Sequence, residues 1–353
     1  MSKRLRALTA LLTAFLLVPI ASAQTAPSVA QARQGGATTT TPRVGADVFD
    51  KTRSAAFRIE GDNGVGTGFF ISNDGFALTA YHVVFDAKNP KAITVDKKEY
   101  AFDVIGFDDY NDVALLKVKV TGNVPFLPLA KASPKVGDAV LGVGNGGGSF
   151  LTAKYGNLQA LGVDAGRADF PNGTLEMTAP LIPGDSGGPI INANGEAVGI
   201  TSYIRATDRS SWRSYAVPMT EASVLLRDLR SGVKRDAPVL GIQWVGYDLQ
   251  DAAYAQYGLG KRPGVIVAAV TKGGPAEQAG LRSASGTSRT TIKADVIVEV
   301  AGKATPTWDD LINVVRSKKI GDLIPVTVQR GDETVVLNLR LGSRAQLFGA
   351  VNP

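Results

Sequence analysis

The chain has 353 residues, 44% of them hydrophobic and 20% charged, the composition of a soluble globular protein with about two domains. Its formal net charge of +6 is modest, and no basic block is interleaved with aromatic residues, so we expect no nucleic-acid partner. The absence of cysteine excludes disulfides, and a single histidine leaves no Cys or His cluster for a transition metal. We therefore predict no metal site and no cofactor.

The first 23 residues have the pattern of a secretory signal peptide. Lys3, Arg4 and Arg6 form a basic segment, residues 7–20 are apolar, and residues 21–23 (Ala-Ser-Ala) form a small-residue cleavage site. The apolar run is shorter than the roughly 20 residues that a membrane span needs. We therefore expect export to the periplasm or cell envelope, or secretion. An uncleaved membrane anchor is the alternative.

Residues 24–48 are rich in Gln, Ala, Thr and Gly, lack hydrophobic periodicity, and are predicted to form a flexible linker. The segment 49–231 alternates short hydrophobic runs with turn-forming residues, a spacing typical of an all-β barrel or sandwich. Its predicted strands lie at residues 55–59, 66–71, 75–79, 92–95, 102–105, 113–118, 139–143, 189–192 and 197–201. A helix is predicted at residues 220–229 with Thr220 as its cap, before a charged linker that ends at Pro238.

Residues 238–345 form a second predicted unit, of mixed helices and strands, followed by a tail at residues 346–353. Its predicted strands lie at residues 240–245, 264–270, 295–300, 324–329 and 334–341. Two helices are predicted, one at residues 275–280 with Pro first and Gly last, and one at residues 307–317 with a threonine cap. Residues 283–291 have the composition of a loop insertion.

Two motifs about a hundred residues apart indicate nucleophilic catalysis. His82, the single histidine, lies in LTAYHVV at residues 78–84, and Ser186 lies in GDSGGP at residues 184–189. A serine hydroxyl becomes a good nucleophile when a neighbouring base takes its proton. If the chain is a serine hydrolase that works through imidazole, His82 must be that base.

The base also needs a third group that holds its ring in the right tautomer. Asp108, Asp109 and Asp112 are the candidates that lie between His82 and Ser186 in the chain. Asp112 directly precedes an apolar strand and can face the histidine from the mouth of that strand. We therefore predict Asp112 as the orienting acid, and Asp108 and Asp109 as solvated turn residues.

The glycine-rich motifs allow other interpretations. A GxSxG sequence also occurs at the nucleophile elbow of α/β-hydrolases, but there the histidine follows the serine, and no histidine follows Ser186. Residues 142–147 match the dinucleotide pattern GxGxxG, yet residues 149–156 do not look like the helix that pattern requires. We interpret residues 142–147 as a loop beside the active site.

These motifs resemble the HtrA/Deg family of chymotrypsin-like serine proteases. The resemblance is carried by GTGFFI at residues 66–71, LTAYHVV at 78–84, NDVALLKV at 111–118 and PGDSGGP at 183–189. It implies an all-β double β-barrel of two packed six-stranded barrels, with His82 as general base, Asp112 as its orienter and Ser186 as nucleophile. The backbone N–H groups of Gly184 and Ser186 would form the oxyanion hole.

The second unit resembles the α+β PDZ domain of the same family. VLGI at residues 239–242 matches the carboxylate-binding loop, and later segments match at residues 264–270, 274–281 and 295–302. Such a domain binds C-terminal peptides as an added strand. The resemblance implies a peptide groove lined by Val239, Leu240, Gly241, Ile242, Leu311 and Val315. It also implies a homotrimer.

One departure from the family concerns the residue before the nucleophile, which is Asp185 here and usually Asn in the family. The preceding residues 179–182 are apolar and favour cleavage after small or medium aliphatic residues. We expect an exported, ATP-independent serine endopeptidase of protein quality control that cleaves misfolded or unfolded proteins. The alternative is a proteolytically silent chaperone or peptide-binding module with a PDZ domain.

Overall fold

The structure is a computed structural model. It describes residues 44–62, 64–164, 168–206, 212–244, 259, 262–288 and 291–348. The predicted signal peptide, most of the predicted linker, and the end of the predicted tail from residue 349 lie outside the described residues. Among the helices that are described, none is long and apolar enough to cross a bilayer.

Short strands dominate the first domain. They are β1 (Ala56–Gly61), β2 (Gly64–Phe70), β3 (Phe76–Thr79), β4 (Lys91–Ile93), β5 (Glu99–Tyr100), β6 (Phe102–Asp108), β7 (Val113–Val118), β8 (Ala139–Gly144), β9 (Thr152–Val163), β10 (Thr174–Met177), β11 (Pro189–Ile191), β12 (Ala197–Ala206), β13 (Trp212–Pro218) and β14 (Lys234–Arg235). Its helices are α1 (Ala46–Thr52), α2 (Tyr81–Val84) and α3 (Val224–Arg230), with 3₁₀ turns at Arg53–Ala55 and Gly146–Gly148.

The strands form two β units. One is a closed barrel in the order β10-β13-β12-β11-β8-β9, and the other is an open eight-stranded sheet in the order β14-β6-β7-β3-β2-β1-β4-β5. The all-β chymotrypsin-like prediction is confirmed, but the prediction of two six-stranded barrels is wrong for the first unit. One of the additional strands is β14, which comes from the linker after the closed barrel and pairs in parallel with β6, with Lys234 opposite Phe107.

A shared hydrophobic core holds the two β units together. Phe69, Leu78 and Leu115 of the open sheet pack in one buried cluster with Leu141 and Ile200 of the barrel. Because both units contribute side chains to this cluster, the loops at their junction have a rigid support. The candidate site residues lie on those loops.

The N-terminal end of this domain differs from the prediction. Val44 and Val48 are buried in the shared core, and α1 begins at Ala46, inside the range predicted to be a linker. Helix α3 begins at Val224 with Ser223 at its N-cap position, so the predicted Thr220 cap is wrong. Neither helix start has a side-chain cap hydrogen bond, although Ser223 is a residue type preferred at N-caps.

The second domain combines strands and short helices. They are β15 (Pro238–Val239), β16 (Ile242–Trp244), β17 (Val265–Val270), α4 (Pro275–Gln278), β18 (Ser285–Ser288), β19 (Thr291–Lys293), β20 (Asp295–Val300), β21 (Lys303–Ala304), α5 (Trp308–Arg316), β22 (Leu323–Arg330), β23 (Glu333–Arg340), β24 (Gly342–Ser343) and α6 (Arg344–Phe348). The main sheet runs β16-β17-β20-β22-β23, which leaves β16 at its edge.

Local signals explain much of this domain. Thr307 caps α5 as predicted, because its hydroxyl accepts from the Asp310 N–H while the Asp310 carboxylate accepts from the Thr307 N–H, each at 3.2 Å. The predicted loop insertion at residues 283–291 is instead built from β18 and β19, which pair antiparallel. β18 and β19 include the β-branched residues Thr287, Thr291 and Ile292, a residue type that is enriched in strands.

Candidate active site

The first element of the site is a pair formed by His82 and Asp112. His82 lies in the single turn of α2 that directly follows β3, and Asp112 directly precedes β7, which pairs with β3. The imidazole Nδ1 lies 2.8 Å from Asp112 Oδ2 and 3.0 Å from Oδ1, and the His82 backbone N–H donates to Oδ1 at 2.9 Å. Since a carboxylate can only accept, Nδ1 carries the proton and Nε2 is the basic nitrogen of the neutral ring.

Asp112 is itself held from two sides. Its backbone lies in the left-handed region, with φ +53°, and the Ser202 hydroxyl donates to its Oδ2 at 2.5 Å. An aspartate in this conformation is uncommon and persists where surrounding contacts determine it. Ser202 lies on β12 in the other β unit, so this support of the carboxylate is made across the junction of the two units.

The charges of this pair are mutually stabilised. Burial lowers the pKa of His82, but the Asp112 carboxylate raises it by more, so the pKa lies above its ordinary value. Burial raises the pKa of Asp112, but the charge and hydrogen bonds of His82, with the Ser202 hydrogen bond, leave it lowered. The His82 side chain is 44% exposed, so its ring remains accessible to a substrate.

Ser186 lies in the turn between β10 and β11 and lines the same cavity as His82 and Asp112. The cavity has a volume of about 550 Å³, the size of a small-ligand or short-peptide site. Within the described residues, no hydrogen bond joins Ser186 to His82. Such bonds are often long in the absence of substrate and shorten in the productive complex.

The turn that carries Ser186 is anchored by its neighbour. The Asp185 carboxylate is fully buried, with Oδ1 accepting from the Gly146 N–H at 2.7 Å and Oδ2 from the Ile182 N–H at 2.9 Å. Gly184 has φ +104°, which a residue with a side chain rarely adopts. Both oxygens of Asp185 therefore hold the turn whose N–H groups at Gly184 and Ser186 are the predicted oxyanion donors.

The GxGxxG segment packs directly against this turn. A Cβ at Gly144 would lie 2.4 Å from Asp185 Oδ1, and a Cβ at Gly146 would lie 2.6 Å from Oδ2. The segment continues into a short 3₁₀ turn and then into β9. The glycines make room for a buried carboxylate, and the dinucleotide interpretation has no structural support.

Thr67 joins these parts from the first β unit. Its backbone N–H donates to the Ser186 carbonyl at 2.8 Å, and its hydroxyl donates to the Gly184 carbonyl at 2.9 Å. The buried Asn145 amide donates to the same hydroxyl at 2.9 Å. Thr67 lies in the GTG sequence that helped to carry the family resemblance, and its role here is to fix the carbonyls of the turn.

Comparison with known proteins agrees with this geometry. The trypsin-like peptidase domain family matches residues 66–200, and the PDZ domain family matches residues 238–341. The putative serine proteases HhoB and HhoA of Synechocystis are 31% and 30% identical over 291 and 288 residues. These alignments cover 80% and 78% of this chain, and 67% and 70% of the relatives.

The chain belongs to the HtrA/Deg family of serine proteases. A probable periplasmic DegP-like endoprotease of Hahella chejuensis is 33% identical over 277 residues, 76% of this chain and 55% of that protein. The chain therefore spans little more than half the length of that relative, and about two thirds of the Synechocystis ones. It has one matched protease domain and one matched PDZ domain.

Two acids near the triad differ from their prediction. Asp108 and Asp109 were predicted to be solvated, but the side chain of each is only 1% exposed. Asp108 Oδ2 lies 2.7 Å from Arg235 Nη1, and Asp109 Oδ1 lies 2.7 Å from Arg344 Nη1. The prediction was wrong because these arginines come from the linker and the PDZ domain, which are distant in the chain, and the residues next to Asp108 and Asp109 do not indicate them.

The predicted PDZ groove shares a cavity with His82, Asp112 and Ser186. The predicted groove residues all line the cavity that holds the triad: Val239, Leu240, Gly241, Ile242, Leu311 and Val315. Trp244 of β16 stacks on Trp308 of α5 with ring centroids 5.1 Å apart, an aromatic pair that sequence reasoning missed. Among the described residues, no group of three or more His, Asp or Glu side chains could hold a metal ion.

Proposed function

We propose that this HtrA/Deg protease is an exported, ATP-independent endopeptidase of protein quality control that cleaves unfolded proteins through Ser186, His82 and Asp112. The observation that carries the proposal is the His82–Asp112 pair, bonded at 2.8 Å, in one cavity with Ser186. The signal-peptide pattern supports export, and the DegP-like relatives are named as periplasmic. A homotrimer remains a prediction from the family resemblance.

The chemistry follows from the positions of the three side chains. Ser186 Oγ attacks the peptide carbonyl while His82 Nε2 takes its proton, and the N–H groups of Gly184 and Ser186 stabilise the oxyanion. His82 then protonates the leaving amine, and an acyl-enzyme forms. Water attacks this ester with His82 again as base, which releases the new C-terminus and restores Ser186.

Asp112 acts in this sequence by holding the ring and by stabilising the imidazolium that forms in each half of the reaction. Its two oxygens accept from the backbone and the ring of His82, and Ser202 supplies a further donor. The carboxylate therefore stays ionised while it lies beside an apolar strand. A charge-assisted hydrogen bond of this kind is about twice as strong as a neutral one.

The PDZ domain is proposed to bind free C-terminal peptides. Strand β16 is the edge of its sheet and faces α5, so an extended peptide can add beside it. The loop before it turns at Gly241, where φ is +77°, and its N–H groups are proposed to bind the terminal carboxylate. Leu311 and Val315 are buried apolar side chains on the facing helix and suit an aliphatic last residue.

Digestion of an unfolded protein by the wild type, by Ser186→Ala and by Ser133→Ala tests the assignment. We expect loss of the nucleophile to lower the rate by roughly a millionfold. Ser133 is an exposed serine outside the site and serves as the matched control, with wild-type cleavage expected. Equal cleavage by wild type and Ser186→Ala would refute the role of Ser186. No cleavage by the wild type, with peptide binding intact, would favour the silent module.

A further inference from the structure

Two arginines of the PDZ domain converge on the turn that bears the catalytic aspartate. Arg316 is the last residue of α5 and Arg344 is the first residue of α6. Arg344 Nη1 lies 2.7 Å from Asp109 Oδ1, and Arg316 Nη2 lies 3.2 Å from the same oxygen. Asp109 belongs to the protease domain, so these are contacts between the two domains.

Both arginines are held in place by more than the ion pairs. The Arg316 guanidinium lies over the ring of Tyr110 at 5.2 Å and donates to the Ala168 carbonyl at 3.0 Å. Arg344 lies over the ring of Phe85 at 4.2 Å. Planar guanidinium groups stack on aromatic rings and bind carboxylates directionally, which makes each arginine a stiff connection rather than a loose surface pair.

The turn itself connects Asp109 to the catalytic carboxylate. Asp109 precedes Asp112 by three residues, and the Asn111 N–H donates to Asp108 Oδ1 at 2.9 Å within the same turn. The Asp112 carbonyl accepts from the Tyr81 N–H at 3.1 Å, directly before His82. A displacement of Asp109 would therefore be passed to the backbone that sets the distance between Asp112 and His82.

We propose that Arg316 and Arg344, acting through Asp109, are positioning residues that hold the Asp112 turn at the distance from His82 that catalysis requires. The inference rests on the Ser-His-Asp chemistry proposed above. It means that a docked PDZ domain completes the protease site. Arg235 of the linker makes a similar ion pair with the adjacent Asp108, at 2.7 Å.

The need for these arginines follows from the burial of Asp109. The Oδ2 atom of Asp109 is buried and has no hydrogen-bond partner. Among the described residues, the cationic groups paired with the Asp109 carboxylate are Arg316 and Arg344, both at Oδ1. Burial raises the pKa of Asp109 while Arg344 and Arg316 oppose the rise, and Asp236 adds to it. Without the arginines the carboxyl would protonate or the turn would move toward water, and either change alters the support of Asp112.

The single histidine permits a direct test in the full-length protein. We would compare wild type with Arg316→Gln/Arg344→Gln and with Arg316→Lys/Arg344→Lys, measuring kcat and KM on a short chromogenic peptide. Nuclear magnetic resonance of the only imidazole would follow the His82 Nδ1–H proton. Arg340→Gln is the matched control, because Arg340 is an exposed arginine of β23.

For the double variant Arg316→Gln/Arg344→Gln, the glutamine pair, we expect kcat to fall about tenfold to a hundredfold, the effect of a small misplacement of a catalytic group. KM should change by less than about twofold, because substrate contacts remain. The Nδ1–H proton should exchange faster with water, because its bond to Asp112 is weakened. The lysine pair, which keeps the charges, should recover part of kcat, and Arg340→Gln should match wild type.

An unchanged or higher kcat in the glutamine pair, with an unchanged Nδ1–H signal, would overturn the inference and identify the arginines as docking or inhibitory contacts. Failure of the proposed function looks different, since wild type and Ser186→Ala would then cleave equally. If thermal unfolding shows that the glutamine pair has lost its PDZ fold, Arg344→Gln alone replaces it. Wild-type kcat in a folded single variant would equally overturn the inference.

Discussion

Replacing Asp185 by Asn tests how the oxyanion turn is held. Asn is the residue usual at this position in the HtrA/Deg family, and it has nearly the same shape as Asp. In this chain, however, both carboxylate oxygens accept from backbone N–H groups, at 2.7 Å from Gly146 and 2.9 Å from Ile182. An amide has one oxygen and one NH₂ group, so one of these backbone donors would face another donor.

The change in the free energy of unfolding combines a lost backbone hydrogen bond with the removal of a buried charge. A hydrogen bond to a charged group contributes about 1.5–3 kcal/mol, and the unpaired backbone donor adds a penalty. Burial raises the pKa of Asp185, which means that its charge is costly in this site, and Asn removes that cost. We expect a net loss of about 1 kcal/mol in the free energy of unfolding, or about 2–4 °C in Tm.

The effect on catalysis should be larger than the effect on stability. The donor that faces the new NH₂ group must move, and Ile182 lies only two residues before Gly184. Displacing one oxyanion donor costs about 10²–10³ in kcat. We therefore expect Asp185→Asn to lower kcat by about a hundredfold on a short peptide, with KM nearly unchanged.

The assay is steady-state hydrolysis together with thermal unfolding. Asp138→Asn provides the control, because Asp138 also accepts from a backbone N–H, that of Lys135 at 2.8 Å, on the exposed surface. A kcat within about twofold of wild type for Asp185→Asn would show that the turn does not depend on two carboxylate acceptors. Equal losses in both variants would show that the effect is not specific to the turn.

Three further outcomes are expected. Because the base must be neutral and the pKa of His82 is raised, kcat/KM should increase with pH through a midpoint above about 6.5. In a pH–rate profile, Asp112→Asn should lower that midpoint and reduce kcat about 10⁴-fold. Ser202→Ala should reduce kcat about tenfold by removing a donor to Asp112, whereas wild-type kcat would show that this donor is dispensable. Leu311→Ala should destabilise the PDZ domain by about 2–5 kcal/mol and weaken binding of an aliphatic C-terminal peptide, measured by calorimetry.

The sequence was most informative where the signal is local. Alternating hydrophobic runs predicted most strands of the protease domain, and a threonine before an apolar face predicted Thr307 as the N-cap of α5. His82 could be nominated as the base because it is the single histidine, and Asp112 because it directly precedes β7. The structure places His82 Nδ1 2.8 Å from Asp112 Oδ2.

The sequence was least informative where partners are distant in the chain. Ser202 reaches Asp112 across 90 residues, and Arg344 reaches Asp109 across 235. No local sequence pattern indicates such a partner. The hydrogen bond from Ser202 to Asp112 was therefore not predicted, and Asp109 was predicted to be solvated. The same holds for Asp185, whose anchoring of the Ser186 turn depends on the close approach of Gly144 and Gly146.

The sequence by itself therefore determined the fold class, the family and the candidate nucleophile and base, because these depend on residue type, spacing and order. Tertiary structure alone decided which acids are buried, what holds the turn at Ser186, and that the predicted PDZ groove residues line the same cavity as His82, Asp112 and Ser186. The physical reason is that burial and the pairing of charges depend on surfaces from separate parts of the chain. These surfaces meet only when the two β units and the PDZ domain pack together.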